Sequence, residues 1–468
     1  MRSVHLVAAA TAAALVVGYG VADAWDVAPG LLTLDPAPVA AAPRPTASDP
    51  DRLPAQPVLP ALSTTAPVPS EAGLTTALAP LLADPALGRS TSLTVVDAAT
   101  STVLLDRAAG TPRTPASTVK LLTGAAALSA LGAQTRISTK VVQGASADEV
   151  VLVGAGDILL GSGASRPTET VGHAGLATLA GQVAARVRAA GRTQVVVGVD
   201  DSIFAGPAVH PAWGSGDLQV GFTGRVSALG LVGDRSRVGR PSAADPSLAA
   251  ARAFVAALRR HGVTVGAAPV RTRAEPSAVV LGEVRSAPVA ELVGVALTTS
   301  DNTLAEVLAR LAAHAMGRPT TFEDAAIAVL DRVQSLGVDT GPARLADGSG
   351  LGRGSVVPAR ALAQLLALAA GPAHPELRPL LVGLPVAGLT GTLATRFAVP
   401  PARSAAGTVR AKTGTLNGVS SLAGVTVDAD GRLLAFAMMS DQVPVGASAR
   451  ARTAADRVAA ALSRCGCR

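Results

Sequence analysis

A chain of 468 residues that is 49% apolar and only 16% charged can fill a large packed core, which excludes general disorder. Its net charge of +7 favours anionic surroundings, yet aromatics amount to 2% and no lysine–arginine block occurs, so nucleic acid is not an expected partner. The two cysteines, Cys465 and Cys467, lie in the terminal segment, and the six histidines show no H-E-x-x-H spacing, so no metal site is expected.

Arg2 and His5 precede an apolar run from Leu6 to about Ala22, and Ala22-Asp23-Ala24 offers small residues for cleavage. Residues 1–28 therefore read as a signal peptide or a membrane anchor. That places the remainder in an extracytoplasmic space such as a cell wall or periplasm, with the cytoplasmic membrane as a partner through this segment. Residues 29–72 hold eleven of the 33 prolines and read as a spacer that cannot bury a core.

Leu74, Leu78, Leu81 and Leu82 have helical spacing, and Leu93–Asp97 with Thr102–Asp106 reads as a β-hairpin. From Thr114 the pattern predicts a helix, with Thr114 as its cap, Pro115 in its first position and Leu121, Leu122, Ala125 and Leu128 on its apolar face. Residues 73–143 form the first part of one domain on this reading. Residues 144–274 read as a β-rich insert with short runs at Val150–Val153 and Val195–Val199 and one helix near Leu248–Arg260. Residues 275–462 complete the first domain, with a strand at Ala278–Glu283 and helices at Val289–Leu297, Leu304–His314, Phe322–Leu336 and Ala359–Leu368. Strands at Val409–Lys412, Val419–Val427 and Leu433–Met439 and a helix at Ser448–Leu462 close it. Residues 463–468 are a tail, whose thiols leave a terminal or intermolecular disulfide open.

The chain is rich in arginine and has only three lysines, two of which close or open short motifs. Ser117-Thr118-Val119-Lys120 sets a hydroxyl and an amine about one helical turn apart. A serine hydroxyl is a weak nucleophile that needs a base, and a buried lysine can serve, with Lys412 as a second cation to depress its pKa. Ser300-Asp301-Asn302 precedes a helix; Ser300 or Asn302 could simply cap it, or could relay a proton and hold a substrate amide. Lys412-Thr413-Gly414-Thr415 ends a strand, where Gly414 leaves room for a ligand backbone, Lys412 and Thr413 suit a carboxylate and the Thr415 N–H suits an oxyanion. Together these triplets are the set used by class A β-lactamases and penicillin-binding proteins.

At these residues the chain resembles the D-alanyl-D-alanine carboxypeptidase/endopeptidase family of penicillin-binding proteins, class C, peptidase family S13. The resemblance extends to Pro115–Thr123, Gly154–Asp157, Asp200–Phe204, Asp347–Leu351, Leu384–Gly388, Gly391–Leu393 and Lys412–Leu416. Ile158, Gly352 and Gly354 depart from the family pattern. The resemblance implies an α/β fold: a serine β-lactamase/transpeptidase-like domain, an antiparallel sheet flanked by helices, interrupted by one β-rich inserted domain. It implies Ser117 as nucleophile, Lys120 as base and Ser300 as proton relay, with Asn302, Lys412, Thr413, Gly414 and Thr415 binding substrate. Peptidoglycan stem peptides would be the substrate, β-lactams the inhibitors, and no cofactor would be used.

Two rivals remain on the sequence. A secreted β-lactamase needs rapid deacylation and a compact chain, against which stand the long interval between the first two triplets and the lack of any asparagine between the second and third. A non-catalytic wall-binding or penicillin-binding protein would keep the pocket idle.

Overall fold

Along the strand Leu433–Ser440, Leu434, Phe436 and Met438 alternate with Ala435 and Ala437, so one face is bulky and the other shallow. In the computed structural model, which describes residues 65–468 and Val16, this strand is the middle of a five-stranded antiparallel sheet. The order is Arg410–Leu416, Val419–Val427, Leu433–Ser440, Thr91–Asp97 and Val103–Arg107. The bulky face packs with the helices Glu71–Leu82 and Ser448–Ser463. The shallow face accepts the alanine-rich helix Ala359–Ala370. Beyond it lie Val119–Leu131, Val289–Thr298, Asn302–Ala315 and Phe322–Ser335, whose apolar faces share that core. An antiparallel sheet between two layers of helices is the architecture expected for the transpeptidase-like domain.

The interrupting segment builds a second, six-stranded sheet. Glu149–Val153 and Gln194–Asp200 run parallel at its centre, and Thr264–Val265 and Val270–Arg271 add to the latter. Arg136–Gln143 and Val280–Pro288 complete the other side, so the sheet takes in strands that flank the expected insert at both ends. The expected strand Ala278–Glu283 is thus longer and shifted toward the C-terminus.

Two helices cover this sheet, and only one was legible. Pro246–Arg260 carries a capping Asp245, a proline in its first turn and Arg259 and Arg260 in its last. Leu176–Ala189 follows Gly175 with no side-chain cap, so its start carries no signal in the sequence.

The last residues pack against the segment that leads into the helix Glu71–Leu82. Cys465 and Cys467 are joined in a disulfide, and the Ser70 N–H donates to the Cys467 carbonyl at 2.7 Å. The signal or anchor expected over 1–28 and nearly all of the spacer over 29–72 lie outside the described residues. Among the described residues no helix is long and apolar enough to cross a membrane.

Phe436, 1% exposed at the centre of the bulky face, is the most sensitive test of this packing. Phe436→Ala should cost about 3–5 kcal/mol in denaturant unfolding, through lost burial and the cavity left behind.

Candidate active site

The helix expected to begin at Thr114 begins at Val119. Ahead of it stands a single 3-10 turn, Ala116–Thr118, with no side-chain cap, and Ala116 has φ 48°, which a continuous helix cannot contain. Thr114 does not cap; its N–H donates to Asp441 Oδ2 at 3.2 Å. Ser117 therefore sits on a sharp turn and not inside a regular helix. The turn is pressed from two sides. A Cβ at Gly350, whose φ is 76°, would lie 2.0 Å from the Ala116 carbonyl oxygen. A Cβ at Gly414 would lie 2.6 Å from the Pro115 carbonyl and 2.2 Å from Ser421 Oγ, which itself donates to Pro115 O at 2.6 Å. The sequence reading gave Gly414 the task of admitting a ligand; the turn that carries Ser117 requires a glycine there as well.

Lys120 follows in the first helical turn, on a helix whose residues Val119 to Leu128 are all buried. Its side chain is extracted from water, with the residue 1% exposed. Nζ donates to Ser117 Oγ at 3.0 Å, Asn302 Oδ1 at 2.6 Å and the Ser349 carbonyl at 2.8 Å, which uses all three ammonium hydrogens. Burial pushes its pKa down to about 8, against the pull of Asp347 and Glu306. Lys412 is equally dry and donates to Ser300 Oγ at 2.9 Å and to its neighbour's Thr413 carbonyl at 2.8 Å. Its pKa falls well below the ordinary lysine range, first through burial, then through Lys120 and Arg396. Burial is the first cause at both amines, and the repulsion between the two ammoniums acts on the pair.

The second triplet divides its labour differently from the capping alternative. Asp301, not Ser300 or Asn302, caps the helix Asn302–Ala315, accepting from the Leu304 N–H at 2.8 Å and pairing with Arg235. Ser300 and Asn302 are thereby free of the helix end. Asn302 bridges Lys120 and the insert, its Nδ2 donating to the Phe222 carbonyl at 2.8 Å. Ser300 has φ 56°, the second left-handed non-glycine residue at this site after Ala116. Each such residue costs of order 1–3 kcal/mol, which the surrounding fold must supply.

The third triplet lies on the sheet's edge strand, Arg410–Leu416. The Ala411 N–H points outward to the Pro385 carbonyl at 3.0 Å. Backbone groups alternate along an antiparallel strand, so the Thr413 and Thr415 N–H groups face the same open side. Thr413 Oγ1 meets Thr392 Oγ1 at 2.8 Å, which brings Gly391-Thr392-Leu393 to the site.

All the predicted site residues gather here: Ser117, Lys120 and Asn302 form one hydrogen-bonded group, and Lys412, Ser300 and Thr413 the next. Ser117, Asn302 and Thr415 line a cleft of ≈ 660 Å³. Trp213, Asp217 and Phe222 of the insert and Arg353 form its other wall, and the sequence offered no spacing that would have marked them. Asp347 organises the floor. Its carboxylate accepts from the N–H groups of Gly350 at 2.6 Å, Gly352 at 2.6 Å and Trp213 Nε1 at 2.8 Å. Gly352, one of the departures, thus serves through its backbone. Among the described residues no group of His, Cys, Asp or Glu is placed to hold a metal.

This geometry has close counterparts. The solved structure of penicillin binding protein 4 (dacB) from Haemophilus influenzae superposes with a TM-score of 0.67 over 83% of this chain and 97% of that one, at 21% identity, a likeness of fold. Carboxypeptidase DacB of Mycolicibacterium smegmatis is 39% identical over 100% of this chain and 98% of its own length. A carboxypeptidase of Mycobacterium tuberculosis is 39% identical over 86% of each chain. The model of the D-Ala-D-Ala carboxypeptidase 3 (S13) family matches residues 74–240 and 237–462. With both halves of the folded region matched and all three triplets drawn together, this chain belongs to the D-Ala-D-Ala carboxypeptidase 3 (S13) family.

Proposed function

We propose that the chain is a serine-type D-Ala-D-Ala carboxypeptidase/endopeptidase that cleaves peptidoglycan stem peptides through an acyl-enzyme and is inhibited by β-lactams. The observation that carries this reading is the dry Lys120 amine held at 3.0 Å from Ser117 Oγ. In the neutral form Lys120 takes the Ser117 proton as Oγ attacks the carbonyl between two D-alanines. The carbonyl oxygen, gaining charge, is received by the N–H groups of Ser117 and Thr415, each such donor being worth about 3 kcal/mol. Ser300, gripped by Lys412, relays to the departing amine the proton that Lys120 took from Ser117, so that Lys120 is neutral again as the C–N bond breaks. Water then attacks the ester and restores Ser117. Asn302 holds the substrate amide, the peptide runs along the open edge past Gly414, and Lys412 with Thr413 orients the terminal carboxylate. The scheme needs no cofactor. Stem peptides lie outside the cytoplasmic membrane, which fits residues 1–28 acting as an export signal or anchor and 29–72 as a spacer.

The purified protein should form a covalent adduct with fluorescent penicillin, visible on a denaturing gel, and Ser117→Ala should abolish it. An adduct that survives the substitution places the nucleophile elsewhere. Mass analysis of digested wall muropeptides then separates the activities: loss of one terminal alanine marks carboxypeptidase action and severed cross-links mark endopeptidase action, whereas no product at all favours an idle pocket.

A pH profile tests the base. Only neutral Lys120 accepts a proton, and its pKa lies at about 8. The acylation rate should therefore climb about tenfold per pH unit on the acid side and level off above that midpoint. A rate independent of pH across this range removes Lys120 from the role.

A further inference from the structure

Glu306 lies one turn beyond Asn302 on the same helix, and its side chain is completely buried. Oε2 accepts from the Gly348 N–H at 3.0 Å, while Oε1 has no hydrogen-bond partner among the described residues. The peptide it grips is the one beside the site: the Gly348 carbonyl accepts from Thr123 Oγ1 at 2.6 Å, and the next carbonyl, Ser349 O, accepts from Lys120 Nζ. A Cβ at Gly348 would meet Ala309 Cβ at 2.6 Å, so this segment lies directly on the helix that carries Glu306. Accepting from the Gly348 N–H, with the Ser349 hydroxyl beside it, needs only an amide oxygen. A carboxyl kept dry with one oxygen unpartnered is costly, and such a group calls for a reason beyond holding a loop.

The charges around it supply one. Lys120 faces Glu306 from the nucleophile helix and Asp347 from the loop, and Arg310 stands one turn further along its own helix. Arg310 gives its terminal nitrogens to the Ala205 and Pro207 carbonyls, and His210 of the insert faces Asp347 and Arg310. Lys412 faces Lys120 from the other side.

We propose that Glu306 is a positioning residue for Lys120: it clamps the Gly348–Ser349 peptide that fixes the amine, and its carboxyl charge is coupled to that of the amine. The proposal rests on Lys120 being the base. It requires no transfer between the two side chains, only that a carboxylate favours the protonated amine and a neutral carboxyl releases it. Burial, followed by Asp347, raises the Glu306 pKa to about 8, against the Ser349 hydroxyl, the Gly348 N–H and Lys120, so both groups titrate in the same range. Each charge therefore weighs on the titration of the other, and the acid limb of acylation responds to both.

The test is the second-order rate of acylation by fluorescent penicillin as a function of pH, in the full-length protein. Glu306→Gln can keep an acceptor for Gly348 N–H but removes the charge. Without that carboxylate the protonated amine is less favoured, so the midpoint of the acid limb should move down by about one pH unit. Glu306→Asp keeps the charge and withdraws the clamp, so its midpoint should stay near that of the parent while its plateau falls about tenfold or more. A Glu306→Gln profile that superposes on the parent's overturns the coupling. If Glu306→Gln does not fold, Glu306→Asp decides alone: a parental plateau, or a shifted midpoint, overturns the proposal. A parent protein that is never acylated overturns both this inference and the function beneath it.

Discussion

The Lys120 ammonium ties together three separate parts of the chain. Its three hydrogens reach the nucleophile turn, the helix that begins at Asn302 and the loop after Asp347. An amine buried to 1% exposure pays a large desolvation cost, and only a full set of acceptors with opposing carboxylates nearby makes that tolerable. Once those acceptors are fixed, Ser117, Asn302 and Ser349 have no freedom to drift. The catalytic geometry and the solution to the buried-charge problem are the same set of contacts.

The strain at the site follows from that requirement. Ala116 and Ser300 both take left-handed backbone conformations, and each precedes or carries a group that must point into the cleft. The break at Ala116 turns the hydroxyl toward Lys120, and Gly350 and Gly414 leave the space in which the broken turn sits. Capping by Asp301 works in the same sense, because it meets the needs of the helix end and leaves Ser300 to Lys412 and Asn302 to Lys120.

Much of this was legible in the sequence, and the omissions have physical causes. The mostly apolar runs of Val419–Val427 and Leu433–Ser440, buried nearly throughout, and the apolar faces of the long helices made the main sheet and its cover legible, because those signals come from burial itself. The three triplets were legible because lysine and asparagine are so scarce here. The helix Leu176–Ala189 was not, since an uncapped glycine entry carries no mark. Nor was the break at Ala116, because alanine has no preference for positive φ and long-range contacts with the Asp347–Leu351 loop on one side and Gly414 and Ser421 on the other confine the turn. The wall formed by Trp213, Asp217 and Phe222 depends on how the insert folds back over the site, which is a long-range property with no local period.

The scarcity of lysine has its own logic. Arg310 is as deeply buried as Lys120 and lies on the same helix as Asn302, yet its pKa remains at about 10. Its guanidinium is stabilised by the Ala205 and Pro207 carbonyls and lies 4.0 Å from the centre of the Phe322 ring. Such a group remains charged throughout the working range and can only hold structure. Lys120, in a comparable environment, sits near 8 and can be found in either state. A chain that uses arginine for its surface and its buried struts, and sets two of its three lysines in the cleft, has separated permanent charge from charge that must come and go. Exchanging Lys120 for arginine would preserve the cation and the fold's need for it, but would leave Ser117 without a group able to accept its proton.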